Sequence, residues 1–306
     1  PILSAPVGGN GVLFVGDSKG KIVALEIQTG KSKWEFAATT TVAVSPCVGS
    51  DTVFIGCDSG DFYALDASTG QQKWTFKAQA PIRSSPLYAD GKVYFGSFDH
   101  AVYGLDIAKG EKKVEINIGS PIFGSVAIER TDLFVNSAST TVGVINLKTN
   151  SLVWSATVSS GGMGGPLLVG SLVLVGTEEG QIEAYNTASG LRKWSFKAGE
   201  AVRSTPACFT DSVVFTTVGG KVISLGLQDG KLKWQSDAGG DVKGAPCLSK
   251  NHAFVGTRKG KVIAFDLSTG KPVWEDTLGS AVEAMPIIMD GMLIVCTVEG
   301  KIVAYK

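Results

Sequence analysis

The sequence predicts an all-β fold, an eight-bladed β-propeller of four-stranded antiparallel blades, and three observations support this prediction. A 40-residue repeat with β patterning runs through the chain, which is typical of propellers and solenoids. No segment shows a sustained helical period. Small residues precede a recurrent proline, as in Ser84-Ser85-Pro86, and they favour a closed ring because its innermost strands crowd the axis.

Tryptophan marks the repeat most clearly, because every tryptophan occupies the same position of the period and Val114 holds the remaining place. The six are Trp34, Trp74, Trp154, Trp194, Trp234 and Trp274. A turn glycine lies four residues earlier in the period, and Asn150, the next best residue for a left-handed turn, replaces it once. We expect one domain with repeats at residues 1–40, 41–80, 81–120, 121–160, 161–200, 201–240, 241–280 and 281–306.

Each complete repeat is expected to hold four short strands separated by turn signals. In the second repeat these strands are predicted at residues 44–48, 52–56, 61–65 and 72–76. The eighth repeat stops after its third strand, at Tyr305 and Lys306, without the turn glycine and the tryptophan. We therefore expect an incomplete last blade, so that the ring closes with three strands there or takes a fourth from residues outside this sequence.

Composition argues against several classes of function. Lys and Arg together number 28, and so do Asp and Glu, whereas a general nucleic-acid or acidic-membrane binder needs a basic excess. The apolar runs are far too short to span a bilayer, and no signal peptide is visible at the start. The spacing of the five cysteines and two histidines predicts neither a metal site nor a catalytic constellation.

Cysteine usage also bears on the cellular compartment. The cysteines are Cys47, Cys57, Cys208, Cys247 and Cys296. Their number is odd and their spacing wide, so we interpret them as small apolar side chains of buried strands. Five unpaired thiols favour a reducing, cytoplasmic compartment, with the periplasm as the alternative if a signal peptide has been removed.

The phrase A-x-D-x-x-T-G-x-x-x-W, seen at residues 64–74 and 264–274, resembles the tryptophan-docking repeat of the PQQ-like (quinoprotein-like) β-propellers. The resemblance covers essentially the whole chain and implies that each tryptophan packs against the neighbouring blade. It further implies that the joint between blades 3 and 4, which has Val114, is the least well clamped. Glycine in the phrase supplies the positive φ that a tight turn needs.

This family has two functional branches, and the resemblance implies a different function for each. Quinoprotein dehydrogenases hold PQQ and calcium in a pocket that includes an adjacent cysteine pair, which this sequence lacks together with any long inserted loop. The other branch is non-catalytic and includes BamB-like outer-membrane protein assembly factors and propellers appended to multidomain enzymes. We expect the second branch: a monomeric, non-enzymatic scaffold for protein–protein interaction, without cofactor or metal.

One column of the repeat, at the entry to the first strand, fails to repeat, and it supplies the candidate binding residues. The column reads Leu3, Ala43, Arg83, Phe123, Met163, Arg203, Lys243 and Glu283, and the six from Arg83 onward are the predicted binding rim of the central channel. Two interpretations stay open. The rim is either a solvated surface with Lys243 paired to Glu283, or a site that captures an anionic group or an acidic loop of a protein partner. Small-ligand sensing at the channel mouth is a third alternative.

A second irregular place is the loop Phe98, Asp99 and His100, which replaces the usual loop glycine. Sequence drift explains it most simply, and a partner surface on blades 3 and 4 is the alternative.

Overall fold

The structure, a computed structural model, describes residues 1–139 and 141–306 and consists of short antiparallel strands joined by turns. Each of the first seven repeats forms one four-stranded sheet whose strands are hydrogen-bonded in chain order, and the eighth forms a three-stranded sheet. These sheets are the eight blades, so the predicted propeller with an incomplete last blade is confirmed.

Strands of the first four blades are β1 Val7–Gly9, β2 Val12–Gly16, β3 Lys21–Glu26, β4 Ser32–Ala37, β5 Cys47–Gly49, β6 Thr52–Gly56, β7 Asp61–Asp66, β8 Gln72–Lys77, β9 Leu87–Ala89, β10 Lys92–Gly96, β11 Ala101–Asp106, β12 Lys112–Asn117, β13 Ala127–Glu129, β14 Asp132–Asn136, β15 Thr141–Asn146 and β16 Ser151–Thr157. Strands of the last four are β17 Leu167–Val169, β18 Leu172–Gly176, β19 Gln181–Asn186, β20 Arg192–Lys197, β21 Ala207–Phe209, β22 Ser212–Thr216, β23 Lys221–Gly226, β24 Leu232–Asp237, β25 Cys247–Leu248, β26 His252–Gly256, β27 Lys261–Asp266, β28 Pro272–Thr277, β29 Ile287–Met289, β30 Met292–Cys296 and β31 Ile302–Tyr305.

The core lies between neighbouring blades and is built mainly by the second and third strands. Residues of these strands are almost continuously buried, as in β6, whereas the outer strand β8 alternates between exposed and buried positions. Phe54 and Trp74 of blade 2 pack with Phe95 of blade 3 in one apolar cluster. Each blade is thus held by its neighbours, because a single sheet leaves its apolar faces uncovered.

The innermost strand differs from the prediction in the second repeat. It was expected at residues 44–48, but β5 covers Cys47–Gly49. Pro46 has no N–H to donate and restricts the residue before it, so ladder pairing begins only after the proline. The expected crowding near the axis is present, since a Cβ on Gly124 would lie 2.4 Å from the carbonyl carbon of Gly164.

Five tryptophans join one blade to the next through the same hydrogen bond. The indole Nε1 donates to a backbone carbonyl of the following blade, as follows: Trp34 to Ala67 at 2.9 Å, Trp74 to Ile107 at 2.8 Å, Trp154 to Thr187 at 2.8 Å, Trp194 to Leu227 at 3.0 Å and Trp234 to Leu267 at 2.8 Å. The family expectation of a tryptophan joint between blades therefore describes these five.

Trp274 has no such acceptor among the described residues and is 37% exposed, against 7% for Trp234. Its ring instead meets Tyr305 edge-on, with the centroids 5.0 Å apart. Val114, expected at the weakest joint, is buried in a cluster with Tyr94 and Ile145. Trp274 is thus the least covered of the six tryptophans, because no described turn of blade 8 lies against it as Gly270 lies against Trp234.

Candidate functional site: the channel rim

The residues of the variable column meet at one mouth of the central channel. A cavity of about 560 Å³ opens there, and its lining is Leu3, Thr41, Ala43, Asp58, Arg83, Phe123, Met163, Arg203, Val218, Asp241, Val242, Lys243 and Arg258. Five of the six predicted rim residues belong to this lining. The sixth, Glu283, is 8% exposed and bonds to two of the lining residues, Lys243 and Arg258. The structure therefore brings together the set that the sequence singled out by its variability.

The rim column lies beside a column that is uniformly apolar and buried. Val242 is buried between blades, whereas the side chain of the following residue, Lys243, is half-exposed in the mouth. This alternation is what an extended chain produces, because successive side chains point to opposite sides. Packing therefore constrains the apolar column and leaves the rim column free to vary.

Rim arginines pair with loop residues that the sequence analysis did not single out. Arg83 makes two hydrogen bonds of 3.0 Å to the Asp58 carboxylate. Arg203 binds Glu178 in the same forked way, at 2.9 and 2.7 Å. In both pairs the acid lies 25 residues earlier, in the loop between the second and third strands of the preceding blade. Paired guanidinium and carboxylate groups of this geometry are stronger than single contacts.

A third junction carries the same pair with the signs exchanged. Arg258 supplies the loop side chain and Glu283 the rim side chain, with Nε and Oε1 2.9 Å apart. Lys243 of the preceding blade also reaches Glu283, at 2.8 Å. Lys243 and Glu283 are therefore paired in the structure, as one of the two sequence interpretations expected. Arg258 is a third member of this charged group, the rim triad.

At the junction of blades 3 and 4, aromatic residues stand at the loop and rim positions that hold arginine ion pairs at three other junctions. Phe98 and Phe123 meet edge to face with their centroids 4.3 Å apart, and the guanidinium of Arg83 lies 5.5 Å from the Phe98 ring centre. Together with Asp58 these side chains form a continuous patch in which a cation contacts an aromatic face. His100, at φ 74°, takes the left-handed conformation that a loop glycine adopts elsewhere.

Ion pairing determines the electrostatics of the rim. Hydrogen bonding to Asp58 raises the pKa of Arg83, and hydrogen bonding to Glu178 raises that of Arg203. For Glu283, burial by itself raises the pKa, but the bonds and charges of Lys243 and Arg258 outweigh it and lower the pKa overall. The rim therefore presents largely balanced ion pairs, and the side chains of Arg83 and Arg203 remain about half-exposed.

Comparison with known proteins places the chain in a family. A sequence profile described as outer membrane protein assembly factor BamB matches residues 43–115, 113–246 and 234–306. The chain belongs to this family of PQQ-like β-propellers. None of the curated protein sequences matches it.

Solved structures similar to this PQQ-like propeller are functionally diverse. BamB from Moraxella catarrhalis is 16% identical with a TM-score of 0.86, covering 99% of this chain and 94% of that one. The computationally designed protein Ika8 is 17% identical with a TM-score of 0.86, covering 99% and 96%. Quinohemoprotein alcohol dehydrogenase ADHIIG from Pseudomonas putida HK5 is 15% identical with a TM-score of 0.82, covering 95% and 69%. At these identities the likeness establishes the fold alone.

The rim carboxylates do not form a site for the calcium ion that accompanies the cofactor in quinoprotein dehydrogenases. Calcium takes about six to eight oxygen ligands, and within residues 1–139 and 141–306 no three His, Cys, Asp or Glu side chains are grouped to hold a metal ion. The rim carboxylates of Asp58, Glu178 and Glu283 bond to arginine instead.

The described part of the chain contains no helix that is long and apolar enough to cross a membrane.

Proposed function

We propose that this PQQ-like propeller is a non-enzymatic scaffold that binds a protein partner through the channel rim. The observation that carries the proposal is the convergence of the non-repeating side chains Arg83, Phe123, Met163, Arg203 and Lys243 on one mouth of the ring. Exposed arginine and aromatic side chains are enriched in protein interfaces, and Met163 adds an adaptable apolar contact.

The balanced charges indicate which kind of partner the rim suits. Each rim arginine already has a carboxylate, so a free anion gains little by binding one of them. A folded partner with both acidic and basic groups gains more, since it can extend the existing pairs at their exposed atoms. We therefore favour a polar protein surface with a central apolar or aromatic contact over a small anionic ligand.

The test is a charge reversal of the rim with a matched control on the opposite face. R203E/K243E places like charges beside Glu178 and Glu283, whereas K31E/K271E makes the same change in exposed turns at the tryptophan joints. Proteins captured by the wild type and by K31E/K271E, but lost from R203E/K243E, would support the proposal. Equal capture by all three proteins, each shown to be folded by circular dichroism, would refute it.

A role like that of BamB, as an outer-membrane protein assembly factor, is a second candidate. The profile match and the TM-score of 0.86 to the Moraxella protein favour it. Expression of this chain in a bacterial strain without its own BamB tests the role directly, with outer-membrane protein levels as the readout. Unrestored levels at normal expression in the same compartment would count against this candidate.

An oxidoreductase role remains the competing enzymatic hypothesis, since quinohemoprotein dehydrogenases share the fold. Addition of PQQ and calcium to the purified protein, with the cofactor absorbance as the readout, separates it from the scaffold. The scaffold proposal predicts an unchanged spectrum, and a shifted spectrum with dehydrogenase activity would contradict it.

A further inference from the structure

The outermost strand of blade 4, β16, has an uncovered edge without a charged side chain. In each of the seven complete blades the fourth strand ends its sheet, and no further strand pairs with it among the described residues. Such an edge offers backbone groups to a strand of another chain, and charged side chains, lysine above all, oppose that pairing. The other six fourth strands each carry at least two charged residues, whereas β16, Ser151–Thr157, carries none.

One position of the repeat shows the difference most directly. The residue immediately before the tryptophan position is lysine in five of the complete blades and valine in the other two. The lysines are Lys33, Lys73, Lys113, Lys193 and Lys233, and the valines are Val153 and Val273. Strand β28, which holds Val273, still carries Glu275 and Asp276. Among the complete blades, only blade 4 therefore lacks the charges that keep an outer edge from pairing, and its Val153 is 50% exposed.

Charge is sparse well beyond this strand. From Leu133 to Thr177 the only charged residue is Lys148, although charged residues make up 18% of the chain. This stretch contains β15 and β16 of blade 4 and β17 and β18 of blade 5. Inner strands are neutral because they are buried, but β16 is an outer strand with exposed side chains. Depletion of charge at an exposed surface is typical of the centre of a protein interface.

Apolar side chains are exposed on both faces of β16. Leu152, which is 56% exposed, lies on the Gly143 side, where a Cβ on that glycine would be 3.5 Å from the Leu152 side chain. On the other face the Trp154 ring lies against the turn residue Gly190 of blade 5. The next residue, Leu191, is 69% exposed, and the other complete repeats have a polar residue at its position. The edge of blade 4 is thus flanked by exposed apolar groups as well as free of charge.

We propose that β16 pairs antiparallel with β16 of a second copy of this chain across a twofold axis, so that two propellers join edge to edge as a dimer. In the register centred on Trp154, Leu152 faces Ala156 of the second copy and Val153 faces Ser155 of the second copy. No charged side chain enters the seam between the two strands. A twofold contact uses the same edge of both copies, so the assembly closes at two.

Charge favours a second copy as the occupant of this edge. A strand that carries lysine or a carboxylate would bring that group against Leu152 and Val153, and β16 offers no opposite charge to pair with it. Burial of an unpaired charge is costly. A neutral strand with small and apolar side chains avoids that cost, and β16 is itself such a strand.

Dimerisation through β16 goes beyond the proposed scaffold function and leaves the rim free. The rim belongs to the entry of the innermost strands, and β16 lies at the opposite end of the strand order of its blade. A dimer would therefore offer two rims to a partner at once. It differs from the monomer that the sequence led us to expect. Because the contact of one strand is small for a protein interface, we expect a dissociation constant of roughly micromolar size.

Analytical ultracentrifugation of the whole chain tests the proposal, with V153K as the variant and V273K as the matched control. V153K introduces the lysine that five other blades carry at this position, so the fold should remain intact, as circular dichroism would verify. V273K makes the same exchange on a strand that is already charged. We expect the wild type and V273K to dimerise with equal affinity, and V153K to dimerise roughly tenfold more weakly or not at all.

Hydrogen exchange at high and low protein concentration locates the contact. Amides of β16 should exchange more slowly in the dimer, and those of β8 and β24 should not change. A wild type that stays monomeric up to about 100 μM, or equal dimerisation of folded V153K, would overturn the proposal. Protection of β16 that appears only when a different protein is added would also overturn it, because the edge would then belong to that protein. R203E/K243E should dimerise like the wild type, so this test and that of the rim fail independently.

Discussion

Gly270 lies against the indole face of Trp234 in the preceding blade, so closely that a Cβ would be 2.5 Å from Trp234 Cε3. Glycine is needed there for two reasons, the positive φ of 71° and the contact with the ring. The same relationship accounts for the joint between blades 3 and 4. Val114 replaces the tryptophan, and Asn150, in the turn that would otherwise touch it, replaces the glycine. Loss of the ring removes the steric requirement for glycine.

Substitution of Trp234 by alanine should destabilise the fold more than the same change at Trp274. Trp234 is 7% exposed and donates to Leu267, so we expect a loss of about 3–5 kcal/mol in the free energy of unfolding. Trp274, 37% exposed, should lose only about 1–2 kcal/mol. Urea unfolding followed by circular dichroism measures both. Equal losses would show that the open joint is as tightly packed as the closed ones.

Substitution of Gly270 by alanine should likewise lower the free energy of unfolding more than the same substitution at Gly30. Both residues have positive φ, 71° and 69°, which gives each variant about 1 kcal/mol of backbone strain. At Gly270 the added Cβ also displaces the Trp234 ring, for a total of about 2–4 kcal/mol. Thermal and urea unfolding of G270A and G30A separate the backbone strain from the displacement of the Trp234 ring. Equal losses of stability in the two variants would contradict the ring contact.

A double-mutant cycle at the joint of blades 3 and 4 tests the link between Val114 and Asn150. V114W alone should destabilise, because the new ring meets the Asn150 side chain. N150G should relieve this conflict, giving a favourable coupling energy of at least about 1 kcal/mol between the two changes. Unfolding free energies of the four proteins provide the measurement. Additive effects would mean that the coincidence of the two substitutions in the sequence has another origin.

Acid should weaken the rim triad through Glu283. The folded pKa of this carboxyl lies below its ordinary value of 4.5. The charged form therefore contributes stability above about pH 4.5, and the contribution disappears as the pH falls through the folded pKa. E283Q lacks this titration, so its stability should fall less steeply than that of the wild type between pH 5 and pH 3. Parallel curves would indicate that Lys243 and Arg258 do not hold the carboxylate.

Much of the fold could be predicted from the sequence because repetition makes local patterns redundant. The positions of Thr52–Gly56 and of the turn at Gly70 follow from β-branched and aromatic runs broken by glycine. The first strand was misplaced because pairing after Pro46 depends on the neighbouring strand rather than on local propensity. The burial of Val114 was not predicted for a related reason: it packs in a cluster with Tyr94, a residue 20 positions away in the chain.

The candidate site was likewise predicted only in part from the sequence. Variability alone identified Arg83, Arg203 and Lys243, since a residue that packing does not constrain is free to differ between repeats. Their loop partners Asp58 and Glu178 went unnoticed, although a comparison of residues 25 positions apart would have revealed opposite charges.

By itself the sequence determined the number of blades, the strand order and the residues that face the channel, because each depends on a 40-residue period that recurs along the whole chain. Only the tertiary structure decided which side chains meet across a blade junction and why the turn glycine is required. Those features depend on distances between separate repeats, which ring closure sets and a linear pattern does not contain.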